Sequence, residues 1–224
     1  MFSNNNNRIV SLEGNIGSGK STLLEALKGS FKASETNIVF LDEPVDEWSS
    51  IRDINGKPML ELFYEDQAKH AFSFQMMAFI SRLATLKKAM ENNHDTIIVT
   101  ERSLYTDKMV FAKMLFASNK ISLENYSIYL KWFDTFIDCF KINQIVYVKT
   151  APEICHARVS IRNRAGEDNI PLSYLTNCDV YHENMVSELC TTNNQLVLDG
   201  NIDINDVPTT LNTWIQLIKT FIRS

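Results

Sequence analysis

The sequence predicts a doubly wound α/β domain in which helices flank a five-stranded parallel sheet. Three observations carry that prediction. Five short runs are continuously apolar and rich in β-branched residues: 8–13 (RIVSLE), 37–41 (NIVFL), 96–100 (TIIVT), 144–149 (QIVYVK) and 195–199 (QLVLD). Strands covered on both faces of a parallel sheet read this way, whereas a half-solvated strand alternates apolar with polar residues. Between the runs lie stretches with apolar residues at spacings of three and four, long enough for the crossover helices that parallel strands need. The first run also opens into a glycine-rich turn followed by a helical pattern.

In chain order, residues 1–7 are polar and include an Asn run, so fraying is expected there. They contain no apolar h-region and no Arg/Ser-rich amphipathic stretch, so no targeting segment is expected. After the first strand a helix is expected over 20–31, and after the second a long helix from about 59 to 92. Another is expected over 106–117. A fourth carries Tyr126, Leu130, Phe133, Ile137 and Phe140 on one face. The segment 151–164 follows Thr150 and Glu153, a capping-box pair with Pro152 inside the first turn. The last helix, about 206–222, places Leu211, Trp214, Ile215, Ile218 and Ile222 on one face. No linker and no internal repeat divides the chain, so one domain over 1–224 is expected.

Composition narrows the function classes. With 224 residues, 45% hydrophobic and 22% charged, the chain has enough apolar material for a core and is not a disordered polymer. A net charge of −5 disfavours a general hold on nucleic acid. No apolar run reaches the ~18 residues of a membrane helix, and a cytoplasmic protein is expected. The four cysteines (Cys139, Cys155, Cys178, Cys190) form no C-x-x-C pair and are expected to be single, buried thiols. The four histidines have no metal-ligand spacing.

The strongest motif is residues 14–21, Gly14, Asn15, Ile16, Gly17, Ser18, Gly19, Lys20 and Ser21, which match G-x-x-x-x-G-K-[ST]. Glycines let a backbone turn tightly and aim several N–H groups at one anion. Lys20 supplies charge to the β/γ-phosphates, Ser21 offers a hydroxyl to Mg²⁺, and the following helix adds its positive end. The motif announces a nucleotide phosphate without naming a reaction. The N-K-x-D base-reading string that a GTPase needs is absent. A small kinase with an arginine-bearing lid remains.

Other charged residues fall where such a domain has its crevice, beyond the C-terminal strand ends. Glu43 follows the second strand and is placed to take a proton from an attacking hydroxyl. Glu101 and Arg102 follow the third, one suited to magnesium and the other to phosphoryl charge. Arg158 and Arg162 share a helix face, with Arg164 just beyond. Planar guanidiniums suit phosphate oxygens, although a solvated basic helix end accounts for the same pattern.

At this point the chain resembles the deoxynucleoside kinase family, in its deoxycytidine, deoxyguanosine and deoxyadenosine kinase-like branch. The likeness spans about residues 8–200. Its blocks are EGNIGSGKST (13–22), EPVDEW (43–48), LFYEDQAKHAFSFQMMAFISR (62–82), TERSLYTDKMVFA (100–112) and RVSIRNRAGEDNIPLSYL (158–175). The resemblance implies a P-loop kinase fold with a lid at about 158–170. It implies that residues 14–22, ending in Thr22, cradle ATP with Lys20, and that Ser21 and Glu101 hold Mg²⁺. Arg158, Arg162 and Arg164 would close over the phosphates. Glu43 would deprotonate the 5′-hydroxyl, and Arg102 would contact that hydroxyl and the transferred group. Tyr64 and Glu167 would bind the 3′-hydroxyl and Gln75 the base edge. Phe74 and Phe111 would sandwich the base, with Val45, Trp48, Leu60 and Phe63 lining the pocket. Arg82 and Asp107, with Ala78, would disfavour thymidine.

The residues alone leave some of these roles open. Phe74 and Phe111 read by default as core, Gln75 and Arg82 also as one edge of an amphipathic helix, and Asp107 as a helix N-terminal carboxylate. The expected activity is transfer of the ATP γ-phosphoryl group to a 2′-deoxynucleoside, a deoxypurine before deoxycytidine. A deoxynucleoside triphosphate is the expected feedback inhibitor and a homodimer the expected assembly. A nucleoside-monophosphate kinase and a non-catalytic nucleotide switch are the alternatives.

Overall fold

The computed structural model describes residues 6–31, 37–162, 164, 167, 170–190, 194–204 and 207–224. Five strands, β1 (Arg8–Glu13), β2 (Ile38–Leu41), β3 (Ile97–Glu101), β4 (Gln144–Lys149) and β5 (Gln195–Asp199), form one sheet in the order β2-β3-β1-β4-β5. Every pairing is parallel. The P-loop kinase fold expected from the sequence is the one found.

Both faces of the sheet are covered, which explains the unbroken apolar runs. Val10, Leu12, Val99, Val146 and Val148 pack with Leu23, Leu24 and Leu27 of α1 (Lys20–Ser30) and with Ile215 and Ile218 of α10 (Pro208–Phe221). Their neighbours Ile9 and Ile98 face the other way, onto Phe79 and Leu86 of α4 (Gln67–Asn92) and Tyr129 and Phe133 of α7 (Leu123–Phe136). Each fully buried Leu or Phe contributes about 1.5–3 kcal/mol, so the two layers hold the strand ends in a fixed array.

Several helices depart from expectation. The long helix over 59–92 is two, α3 (Met59–Glu65) and α4, because the Asp66 side chain accepts from Lys69 N–H and caps the second. Residues 106–117 begin earlier, as a short α5 (Leu104–Thr106), widen into a π-helix (Asp107–Ala112) and end as α6 (Lys113–Ala117). The fourth helix stops at Phe136 and tightens into a 3₁₀ turn (Ile137–Cys139). Helix α8 covers Pro152–Arg162. Before it, the Thr150 hydroxyl donates to the Ser18 carbonyl, and Ala151 N–H is bonded by Asn201 Oδ1.

Two helices were not anticipated. One is the short α2 (Val45–Ser50), the other the 18-residue α9 (Leu172–Leu189). The buried face of α9 is Leu175, Cys178, His182, Met185 and Val186, helical in spacing, but Cys and His disguise the stripe. Of the cysteines, Cys155 and Cys178 are buried, Cys190 half-buried and Cys139 exposed, so burial does not hold for all four. Asn7 is tied down: it donates to Asn93 O and accepts from Thr96 N–H. Residues 1–5 lie outside the described residues, as do 163, 165, 166, 168 and 169 of the expected lid.

Candidate active site

The loops after β1, β2, β3 and β5, with α8 after β4, surround one cleft of about 520 Å³. The donor side is the loop after β1. Gly14 and Gly17 have φ of 147° and 79°, which L side chains rarely adopt. A Cβ on Gly14 would stand 2.6 Å from the Val148 carbonyl oxygen, and one on Gly17 2.6 Å from that of Cys155. The loop therefore rests directly on β4 and α8. No side chain caps the start of α1, so its first N–H groups remain available to an anion. Lys20 is buried, and Nζ donates to Asn15 O (2.7 Å) and Ser18 Oγ (3.4 Å). Burial, and next the charge of Arg102, brings its pKa down to about 8. Ser21 Oγ donates to Glu101 Oε1 at 2.8 Å.

Opposite stands a charge cluster. Glu43 Oε1 receives Arg102 Nη1 at 2.6 Å and Arg82 Nη2 at 3.3 Å. Burial works to raise the Glu43 pKa, but Arg102, Arg82 and Lys20 outweigh it and hold it at about 2. Arg82 also donates through Nε to Asp107 Oδ2 (3.0 Å) and through Nη1 to the Glu101 carbonyl (2.6 Å). Burial pushes the Asp107 carboxyl up to about 6 even with Arg82 beside it. Arg102 has φ of 61°, a left-handed conformation costing a side-chain-bearing residue about 1–3 kcal/mol unless its surroundings enforce it. Its Nε and Nη2 are buried without a partner among the described residues. Its guanidinium carbon lies 5.3 Å from the centre of the Phe111 ring.

Beyond the cluster is an aromatic pocket. Phe74, Gln75, Ala78 and Arg82 are buried on one side of α4, as their spacing requires. Phe63 stacks on Phe74 (4.6 Å between centroids, 15° between planes), and Trp48 meets Phe74 edge-on. Trp48 Nε1 donates to Ser81 Oγ at 2.9 Å. Gln75 Oε1 is buried without a partner among the described residues. Leu60 and Phe111 complete the wall. Burial and then the charge of Glu167 push the Tyr64 pKa up, so its hydroxyl stays a donor. Glu167 is bonded by both Arg162 and Arg164, the latter at 3.4 Å. Arg158 donates instead to the Gly200 carbonyl (2.9 Å).

The cleft thus joins a phosphate-cradling loop to an aromatic pocket. The sequence model of the deoxynucleoside kinases fits residues 10–223. The chain belongs to the deoxynucleoside kinase family. Among its relatives is a protein named "Probable deoxycytidine kinase" from Fowlpox virus, 35% identical over 182 residues, covering 80% of this chain and 72% of the viral one. The deoxycytidine kinase of Homo sapiens is 30% identical over 241 residues, covering 95% and 90%. Deoxycytidine kinase 2 of Gallus gallus is also 30% identical, covering 97% and 91%. This kinase is therefore a nucleotide-binding phosphotransferase acting on nucleosides.

Nearly all the residues expected from the kinase's sequence line the cleft. Gly14, Asn15 and Val45 do not. Asn15 is structural: its Nδ2 donates to Leu175 O, and its Oδ1 accepts from Ile16 N–H. Val45 packs behind the pocket against the cluster containing Trp48 and Phe63. Sequence reasoning missed Tyr174, which meets Tyr64 edge-on, and Trp214, read only as core. Nor did it name Ile202, Asp203 and Ile204, which continue the lining beyond Gly200. It also missed Glu13, whose acidic side chain ends a strand run and carries no local signal of its role. Ser21 and Glu101 present oxygen donors side by side at the foot of the loop, a set that fits a hard cation such as Mg²⁺.

Proposed function

We propose that the kinase transfers the γ-phosphoryl group of ATP to the 5′-hydroxyl of a 2′-deoxynucleoside, a deoxypurine ahead of deoxycytidine. The observation that carries this reading is the Glu43–Arg102 pair. A half-buried carboxylate and a buried guanidinium whose Nε and Nη2 lack a partner among the described residues line the cleft with the phosphate loop and the aromatic pocket. Both arginines engage Glu43 Oε1, which leaves Oε2 to accept the 5′-hydroxyl proton. The free N–H groups of Arg102 suit the charge that spreads over the transferring oxygens. Lys20 and the loop amides hold the donor phosphates, and Ser21 with Glu101 would hold Mg²⁺. When bound, that cation neutralises phosphate charge. The lid arginines Arg158, Arg162 and Arg164 would close over the phosphates and exclude water.

On the acceptor side, Tyr64 and Glu167 suit a 3′-hydroxyl, and the tyrosine ring crowds the 2′ position. Phe74 and Phe111 would hold the base. Gln75 Oε1 and the Asp107 carboxylate make an acceptor-rich edge, suited to the exocyclic amino group of adenine or cytosine and unsuited to the O4 of thymine. The names of the relatives keep deoxycytidine close behind the deoxypurines. The end-product triphosphate, with its phosphates on residues 14–22, would inhibit by competing with ATP. We read the protein as a cytoplasmic homodimer; no helix among the described residues is long and apolar enough to cross a membrane.

The test is a comparison of deoxyadenosine, deoxyguanosine, deoxycytidine, thymidine and a ribonucleoside at fixed ATP and magnesium. The deoxypurines should give the highest kcat/KM, deoxycytidine the next, and thymidine and the ribonucleoside should trail. Thymidine matching the best substrate would end the base-edge argument. A nucleoside monophosphate phosphorylated faster than any nucleoside would end the acceptor assignment.

A further inference from the structure

Glu13 is fully buried at the last position of β1, one residue before the phosphate loop. Its carboxylate receives three hydroxyl hydrogen bonds. Ser11 Oγ donates to Oε1 at 2.5 Å, Ser103 Oγ to Oε1 at 2.7 Å, and Thr106 Oγ1 to Oε2 at 2.5 Å. Nothing in the mechanism above uses it. We propose that Glu13 is a positioning residue that holds Arg102 in the orientation needed for phosphoryl transfer.

The argument rests on hydrogen-bond polarity. Ser103 and Thr106 form a capping box: Ser103 Oγ accepts from Thr106 N–H (3.2 Å), and Thr106 Oγ1 accepts from Ser103 N–H (3.4 Å). A hydroxyl has one hydrogen and two lone pairs. For both hydroxyls to accept from the backbone, both hydrogens must point elsewhere, to an acceptor. An ionised carboxylate accepts only, so it fixes both rotors at once. An amide at the same place presents an oxygen to one hydroxyl and an N–H to the other, so one of the two hydrogens loses its carboxylate acceptor and turns to the neighbouring hydroxyl, 3.1 Å away, rotating the cap.

Arg102 immediately precedes this turn and has left-handed φ. Such a conformation persists where its neighbours over-determine it. On one side, Arg102 N–H donates to Leu12 O at 3.0 Å, beside Glu13. On the other, Ser103 is pinned through its hydroxyl. Glu13 thus ties the end of β1 to the first residues after β3, holding the guanidinium against Glu43.

The inference rests on the role proposed for Arg102, and the experiment separates the two. Glu13→Gln keeps shape and removes acceptor-only character. It should lower kcat by about 10- to 100-fold, the scale set by a small misplacement of a reacting group, and leave the nucleoside KM nearly unchanged. Ser103→Ala and Thr106→Val should reproduce the effect in part and serve if Glu13→Gln folds poorly. The decisive measurement is a double-mutant cycle. In an Arg102→Ala background, Glu13→Gln should cost almost nothing more. If it slows that background by the same factor as the wild type, the positioning role is overturned while the Arg102 assignment stands. Wild-type turnover in folded Glu13→Gln overturns it too. Wild-type turnover in Arg102→Ala removes the Arg102 role and this inference with it.

Discussion

Glu43 is the proposed base, and its two arginines define how it titrates. Its pKa is depressed from 4.5 to about 2. The stability it contributes is therefore present above about pH 4.5 and lost as pH falls towards 2, and it adds no acid limb to activity near neutrality. Glu43→Gln should lower kcat by about 100-fold or more with nucleoside binding retained, separated by turnover and by direct binding; near-normal turnover would refute the base role. Lys20 titrates in the opposite sense. Its pKa is lowered from 10.5 to about 8, so between these values the native protein sheds a proton that the unfolded chain keeps. Stability rises with pH across that window, while attraction for donor phosphates declines. The kcat/KM for ATP should fall above about pH 8, and kcat at saturating ATP should hold to higher pH because bound phosphate retains the proton. A flat profile would count against Lys20. For Arg82 and Asp107, removing the acid alone leaves the buried Arg82 Nε unpaired while Glu43 and the Glu101 carbonyl still hold the guanidinium, and should cost about 1–3 kcal/mol. Arg82→Met with Asp107→Ala should cost less and move base preference towards thymidine; an unmoved preference would remove these residues from specificity.

At the scale of elements, the site depends on breaks rather than on regular helix. Asp66 stops α3 and caps α4, which lets α3 turn and lay Phe63 flat on Phe74. Asp66→Ala should lower stability by about 1 kcal/mol, the usual worth of an N-cap. A lower urea midpoint at unchanged slope, with kcat preserved, would show it; an unmoved midpoint would deny the cap any role. The π-helix works in the same way. Its wider coil starts at Asp107 beside Arg82 and carries Phe111 under Arg102, and such widened turns recur at functional sites. Neither break was legible as a break. Asp66 sits inside an apolar pattern that continues on both sides of it, and hydrophobic spacing does not separate a π-turn from an α-turn.

Over the whole molecule, the two helix layers bury the sheet and leave apolar side chains exposed on α4 and α7: Ile80 at 47%, Ile128 at 48% and Trp132 at 45%. Trp132 also stacks on Phe136. These two helices are where the proposed homodimer would join. Trp132→Glu should reduce the solution mass towards that of one chain without changing the substrate order; a mass that starts at one chain in the wild type would dismiss the dimer.

Most residues of the cleft came from the resemblance to a family; the sequence by itself determined the five strands and the phosphate loop. Those features have local causes: strands covered on both faces show it in consecutive residues, and a loop at positive φ needs glycine where it turns. Only the tertiary structure decided which charges meet. Glu43 and Arg102 are 59 residues apart, and Glu13 and Thr106 are 93 apart. Their pairing follows from strand order, which sets the end of β3 between those of β2 and β1. A buried carboxylate looks the same in sequence whether it removes a proton or holds two hydroxyls in place; its neighbours decide which.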